Sequence, residues 1–402
     1  MLNKTKAKEN IIILICIFTM PLTGFGLDIY APALPDMTNY FSSSKDLVQS
    51  SISIYLLGFG LIQFIVGGLL DCIGRRNPYM LGAFLYVLFT LALISTGNIR
   101  IFLICRFMQG AAMGAMHLSA RAVMFDSASD TVKVANYGSI AYALGPIVAP
   151  ALGGYLQYYL GWHASLWFLL IYAIVIASLF IKFIPETLIE KRDLNLNEFL
   201  IGYKVVLGNL QFWYGAICLG LVYSNLVIFN IVAPFLVEVD LKFSEIVSGY
   251  VGLLMGVGWL IGGVINRILM GIMPHDIDGK IKCRYSLSIA LVIAILMLGC
   301  SFIIFNLYVI IVPMFFITMC GAIILPIYFS MNIRLFPKFS GTFGALTGAM
   351  LFMIAGFATA IGAIIKFKNE VPLALLILVI IALTLLMNQL LYNKKDKYML
   401  KN

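Results

Sequence analysis

The sequence predicts an all-α membrane protein of about twelve transmembrane helices arranged as two six-helix bundles. Three observations predict it. The 402-residue chain is 62% hydrophobic and only 11% charged, with a mean hydropathy of +1.00, far from the composition of soluble globular domains. Apolar runs long enough to cross a bilayer, which takes roughly 20 residues, recur along its whole length. One interval rich in charge divides those runs into two equal sets.

Taken in order, the first set covers about 11–40, 47–69, 77–97, 99–124, 132–159 and 165–184. The second covers about 210–236, 244–270, 284–303, 306–332, 341–365 and 371–392. The predicted units are an N-terminal bundle over 1–184, a linker over 185–209 and a C-terminal bundle over 210–402. In the first segment, three lysines, an apolar run from Ile11 and the triplet Ala31-Pro32-Ala33 imitate a secretory leader with its cleavage site. The run is too long for a leader and Pro32 and Pro35 flank the site, so the segment reads as a retained helix. In the linker, Leu194, Leu196, Phe199 and Leu200 are spaced among polar residues as in a short amphipathic helix lying on the inner membrane surface. An ordinary solvated linker is the alternative.

Charge sets the expected orientation. With both termini in the cytoplasm, only Lys45, Arg100, Lys242, Lys366 and Lys368 face outside, and Arg106 alone lies within the membrane; the rest of the 27 Lys and Arg face inside. That is the positive-inside bias. The net charge of +9 is therefore the inner-leaflet charge of a membrane protein and calls for no nucleic-acid partner. The seven cysteines show no CxxC spacing and read as packing residues.

More than half of the 35 glycines fall in the second, fifth, eighth and eleventh segments. Small residues let helices approach closely, so these four segments are the candidates for contact between the bundles. Gly67-Gly68-Leu-Leu-Asp71 recurs as Gly262-Gly263-Val-Ile-Asn266-Arg267 after the second segment of the second set, a trace of internal duplication.

Ionisable residues inside apolar segments are the functional candidates. Arg106, Gln109, Gly110, Met113 and His117 follow a spacing of three and four and share one helix face. Asp28 is the only carboxylate well inside an apolar segment, at a depth comparable to Arg106. A buried carboxylate near an arginine takes up and releases a proton in response to conformation, which makes Asp28 the candidate proton site and Arg106 its companion; a permanent Asp-Arg brace is the alternative. Tyr30, Tyr55, Tyr142, Tyr223, Asn225, Asn230 and Phe329, with Gln109, Met113 and His117, are candidates for a cavity between the bundles, against the usual role of membrane aromatics in packing.

Four motifs carry a family resemblance. Gly67-x-x-x-Asp71 followed by Gly74-Arg75-Arg76 resembles the signature loop between helices 2 and 3 of the major facilitator superfamily. Arg106-x-x-Gln109-Gly110 resembles the helix-4 motif of its proton-coupled members. Gly145-Pro146-x-x-Ala149-Pro150-x-x-Gly153-Gly154 resembles the helix-5 motif of drug:proton antiporters, with alanine at 149 where the family commonly has glycine. LDIYAPALP, around Asp28, and Ala120-Arg121-Ala122 running to Asp126 look like the Bcr/CflA branch of that group. The resemblance implies the major facilitator fold, in which helix 2 faces helix 11 and helix 5 faces helix 8. It also implies a conformational latch of Asp71, Arg75 and Asp126 at the cytoplasmic face.

The expected function is therefore proton-coupled export of small amphipathic compounds across a bacterial inner membrane by alternating access. A dedicated transporter of an endogenous metabolite such as a siderophore or peptide, or a nutrient importer, is the alternative. No cofactor is expected, the driving force being the proton gradient. The expected partners are a small-molecule substrate, protons and membrane lipids, with the monomer as the functional unit. An enzyme is disfavoured, because His117, His163 and His275 are far apart in topology and no nucleophile-base or metal spacing occurs.

Overall fold

A computed structural model describes residues 2–188, 196–272, 279–333, 340–365 and 369–399. Among these the chain is all helical. The elements are α1 (Leu2–Asp28), a 3-10 turn (Ala31–Ala33), α2 (Leu34–Tyr40), α3 (Lys45–Ile73), α4 (Arg76–Ser95), α5 (Ile99–Asp126), α6 (Thr131–Leu160) and α7 (His163–Phe183). After the linker come α8 (Leu196–Leu207), α9 (Leu210–Pro234), a π-helical turn (Phe235–Asp240), α10 (Glu245–Ile272), α11 (Gly279–Ser301), α12 (Leu307–Ile333), α13 (Ser340–Ile364) and α14 (Val371–Met399). Among the described residues, eleven helices are long and apolar enough to cross a membrane. Beside them stands α6, a further helix of 30 residues.

Local chemistry places the breaks. The expected single segment over 11–40 is in fact interrupted: α1 ends at Asp28, and the chain turns through Ile29 and Tyr30 before the 3-10 turn. Pro32 and Pro35 cannot donate the backbone bonds that would continue the helix. Asp28 is thus a helix-terminal residue rather than one on a continuous wall. At the other end of α3, Gly74 adopts φ 94° and donates its N–H to the Leu70 carbonyl at 3.1 Å, a cap that favours glycine. Past Pro234 the backbone widens, and Leu241 N bonds Leu236 O at 2.8 Å, five residues back.

The linker helix α8 contacts both sets. Tyr203 donates its hydroxyl to the Phe64 carbonyl of α3, while Val206 is buried with Phe212, Phe343 and Leu346 of the second set. Helix α8 therefore touches both sets at one end, the linker end; the opposite end is the far end. Leu194 lies outside the described residues.

Helices α1 and α3–α7 pack among themselves, as do α9–α14, and the two groups meet along α3 with α13 and along α6 with α10. On the first seam, a Cβ at Gly60 would stand 2.8 Å from the Ala349 carbonyl, and one at Gly67 2.2 Å from the Ala345 Cβ. On the second, a Cβ at Gly249 would stand 2.6 Å from the Pro150 carbonyl, and one at Gly256 2.5 Å from the Ile147 Cα. Other glycines of these helices serve their own bundle: Gly58 faces α5, Gly145 faces α1, Gly153 the turn after it, and Gly262 faces α12. Glycine enrichment marks close packing in general, of which the seams are a part.

Gly256 and Gly263 give a test within one helix. A Cβ at Gly263 would meet nothing within 4 Å. Gly256→Ala is expected to lower the thermal midpoint of the detergent-solubilised protein, overpacking costing about 1–3 kcal/mol, while Gly263→Ala leaves it unchanged or raises it.

Candidate functional site

Arg106 is fully buried in α5. The spacing of three to Gln109 supplies its first partner, since Nη1 donates to Gln109 Oε1. Nη2 donates to the Gly26 carbonyl at 2.8 Å. Above and below, its guanidinium lies 4.5 Å from the Tyr30 ring centroid and 4.3 Å from that of Tyr55. A guanidinium stacks on aromatic faces better than an ammonium does. Gln109 is itself fixed by donating Nε2 to Thr90 Oγ1 at 2.7 Å. Glycine at 26 is required here, because a Cβ would stand 2.5 Å from the Tyr55 hydroxyl.

Asp28 lies apart from this cage. Among the described residues the ion pairs are Arg75 with Asp71 and Arg75 with Asp126; none joins Asp28 to Arg106. Asp28, only 2% exposed, instead accepts a hydrogen bond from Asn230 Nδ2 of α9 at 2.9 Å. That bond crosses between the two sets. Two more do so nearby: Gln49 Nε2 to the Ile231 carbonyl at 2.8 Å and Tyr155 to Tyr250, hydroxyl to hydroxyl, at 2.6 Å. These three bonds lie toward the far end, and nearer the middle Tyr142 of α6 is also hydrogen-bonded to Tyr223 of α9. That end is bonded shut.

Below Arg106, His117 Nδ1 is 3.3 Å from Thr23 Oγ1 and its ring lies 5.7 Å from Phe59 and 5.8 Å from Tyr142. Phe59 packs edge-on against Phe352 at 4.5 Å, Phe352 against Tyr223 at 5.7 Å, and Tyr223 against Trp259 at 6.2 Å. This aromatic chain passes from one set to the other through α3, α13, α9 and α10. Met113 is buried on the same α5 face. Of the expected cavity residues, Tyr142, Tyr223 and His117 join the chain, and Tyr30, Tyr55 and Gln109 belong to the arginine cage. Two stand elsewhere. Asn225 lines a cavity of about 20 Å³ inside the second set, with Trp259 and Thr318. Phe329 neighbours Phe343, 6.3 Å away, beside α8.

Sequence reasoning missed Phe59, Phe352 and Trp259, because single aromatics in apolar helices carry no pattern of their own. Gln49 had a signal, an amide within an apolar run. Arg121 had another: it stands one turn beyond His117 on the same face, exposed, with its guanidinium 5.9 Å from the Phe125 ring, and α5 ends only at Asp126.

The expected α6 motif divides between two faces. Gly145 and Pro146 lie against Gly24 of α1 and Gly153 against the Ile29 carbonyl, whereas Pro150 contacts Gly249 and Gly252, and Gly154 contacts Glu245 and Gly249, of α10. At the linker end, Arg75 Nη2 donates to Asp71 Oδ1 at 2.8 Å, Nε to Asp126 Oδ2 at 3.1 Å and Nη1 to the Leu70 carbonyl at 2.5 Å. Thr187 Oγ1 also donates to Asp126, at 3.1 Å. The cluster ties α3, α5 and the start of the linker; among the described residues it makes no bond to α9–α14.

A chain of twelve long membrane helices in two sets, with a shut far end and a polar and aromatic centre between the sets, is a transporter rather than an enzyme. It belongs to the Major Facilitator Superfamily, whose family model matches residues 16–363. It is 26% identical to an uncharacterized transporter of Rickettsia bellii, over 89% of this chain and 90% of that one. A chloramphenicol resistance protein of Pseudomonas aeruginosa is 29% identical over 53% of this chain and 51% of its own, and multidrug resistance protein D of Escherichia coli is 28% identical over 52% and 53%. Among solved structures, the D-xylose-proton symporter superposes with a TM-score of 0.71 at 16% identity, covering 94% of this chain and 96% of that one, which speaks for the fold alone.

Glu186 provides a test of the linker-end cluster. It accepts the N–H groups of Arg75 at 2.9 Å and Arg76 at 3.1 Å. Burial works to raise its pKa, but the backbone donors of Arg75, Leu188, Arg76 and Thr187 outweigh burial and hold it below the ordinary value of 4.5. A depressed carboxyl stabilises the fold above its unfolded pKa and loses that contribution as pH falls through the folded one. Amide protection at Arg75 and Arg76 is expected above about pH 4.5 and to fade in stronger acid. Glu186→Ala should remove about tenfold or more of it above that pH, the worth of hydrogen bonds to a charged group, and abolish its fading in acid.

Proposed function

We propose that this transporter is a proton-driven exporter of small amphipathic compounds, of the Bcr/CflA drug:proton antiporter type, in a bacterial inner membrane. The observation that carries the reading is Asp28, a buried carboxylate bonded across the seam to Asn230. A carboxyl at a moving interface inside a membrane is by default part of a proton or substrate path. Its neighbour Arg106 fixes Gly26, two residues before Asp28, through the carbonyl bond, and so positions the end of α1. The aromatic chain from His117 to Trp259 offers a face on which planar, amphipathic compounds stack. The resistance proteins among the relatives support a drug-like substrate.

In this reading both termini and the linker are cytoplasmic, following the lysine and arginine bias. The far end is then the outer one, and a protein bonded shut there faces inward. Substrate enters from the inside, the halves rock about the two glycine seams, and the far-end bonds part to release it outside. No cofactor takes part: substrate, protons and lipid are the partners, and one chain is the working unit.

The test is efflux from proteoliposomes under an imposed pH gradient, with proton movement followed alongside. Asp28→Asn is expected to abolish uphill efflux, because an amide does not titrate, while downhill exchange of substrate continues. Undiminished gradient-driven efflux in that variant would overturn the proton assignment. A reporter fused after Asn402 checks the orientation, and an external C-terminus would reverse it.

A further inference from the structure

We infer that Asn230 reads the charge state of Asp28: the neutral acid forms a two-bond pair with the Asn230 amide and closes the far-end seam, and the carboxylate forms one bond and lets the seam open. This rests on the reading of Asp28 as the group that carries the proton. An asparagine amide has two N–H donors and a carbonyl acceptor, whereas an ionised carboxylate only accepts. The bond seen, from Nδ2 to Asp28 Oδ1 at 2.9 Å, is the one bond such a pair makes. It leaves Asn230 Oδ1 buried and without a partner, in a residue only 7% exposed. An orphaned buried acceptor is costly. A proton on Asp28 Oδ2 supplies the missing donor once the two side-chain tips turn about the bond they already share.

The position of the pair makes its strength a matter of access. Asp28 ends α1 in the first set and Asn230 lies in α9 of the second. The next residue, Ile231, is gripped by Gln49 of α3 at 2.8 Å, so two adjacent residues of α9 are held against the first set. Other charged and titratable groups stand around Asp28. Arg106 of α5 turns its Nη1 and Nη2 donors to Gln109 and Gly26 and its faces to Tyr30 and Tyr55. Tyr30, Tyr142 of α6 and Tyr223 of α9 are close enough to sense the Asp28 charge. From α7, Ser165 bonds the Ile29 carbonyl, and His163 stacks on Trp162 further out. Asp36, Lys45, Glu238, Asp240 and Glu245 form the charged mouth beyond. Among the described residues, Asp28 is the one carboxylate of the first set hydrogen-bonded to the second.

The direction follows. A proton bound from the outside closes the outer seam and returns the empty carrier inward; its loss to the inside weakens the seam and lets the substrate-loaded carrier open outward.

The test is hydrogen exchange of the full-length protein in lipid nanodiscs, corrected for intrinsic rates, at acid and at alkaline pH. In the wild type, the segments over 28–41 and 231–245 are expected to be about 2- to 10-fold better protected in acid, because the neutral pair satisfies both buried side chains and the closed seam no longer buries a charge. Asp28→Asn offers an amide that pairs twice with Asn230 without titrating and should hold the seam protected at both pH values. Any pH response it retains belongs to the mouth residues. Asn230→Leu should leave the seam weakly protected at both, and Asn230→Ser serves if the leucine variant fails to insert. A wild-type pH response surviving in the Asn230 variants, or a wild-type seam that loosens in acid, overturns the inference. Gradient-driven efflux measured in parallel separates the two ideas. If Asp28→Asn has lost it while the wild-type seam ignores pH, only the role of Asn230 falls. If Asp28→Asn keeps it, the proton reading falls as well.

Discussion

Helices surrounded by lipid gain no hydrophobic free energy by touching one another, so whatever joins them must come from close packing and hydrogen bonds. That constraint governs the contact between the two halves. Along α3 with α13 and α6 with α10, glycines bring backbones into reach of each other, as where Gly249 meets the Pro150 carbonyl and Gly60 the Ala349 carbonyl. Such surfaces interlock little and slide at small cost. Direction is then added by a few polar bonds, and here they are concentrated toward one end, at Asp28, Gln49 and Tyr155. A smooth hinge with bonds at one end is a two-state device, because shutting that end and shutting the other are alternatives for the same rigid parts.

The limits of most elements were legible in the sequence because length and hydropathy decide them. The segments expected at 47–69, 99–124 and 132–159 are α3, α5 and α6 to within a few residues. The failures lie where proline acts. Pro32 and Pro35 cut the first segment after Asp28, and the wide turn beyond Pro234 had no periodic signal at all. Contacts within the N-terminal set followed from spacing, as with Arg106 and Gln109, or from the loop motif, as with Arg75 and Asp126. Contacts between sets did not. Asp28 and Asn230 are 202 residues apart, and nothing local in either segment names the other.

The arginine illustrates why a buried charge should not be paired by proximity in sequence logic alone. Arg106 and Asp28 sit at similar depth, and opposite charges in a membrane invite the assumption of a bridge. The Arg106 cation is instead distributed over the Gln109 amide, the Gly26 carbonyl and two tyrosine faces. Those partners are all neutral. An arginine held in this way meets Asp28 through the position of Gly26 rather than through direct contact.

An amide across the seam is suited to a cycle in which the contact must break on every turnover. Breaking a buried ion pair costs about 3–5 kcal/mol when one charge is left unpaired. A hydrogen bond to a charged group contributes about 1.5–3 kcal/mol. Had Arg106 bridged Asp28 within the first set, protonation would have to overcome the stronger interaction, and the arginine would be left without a counter-charge. With the arginine satisfied inside the first set and asparagine placed in the second, the charge change falls on a bond weak enough to part. The separation of roles between Arg106 and Asn230 thus follows from where each contact lies: the first is inside one set, and the second joins the two.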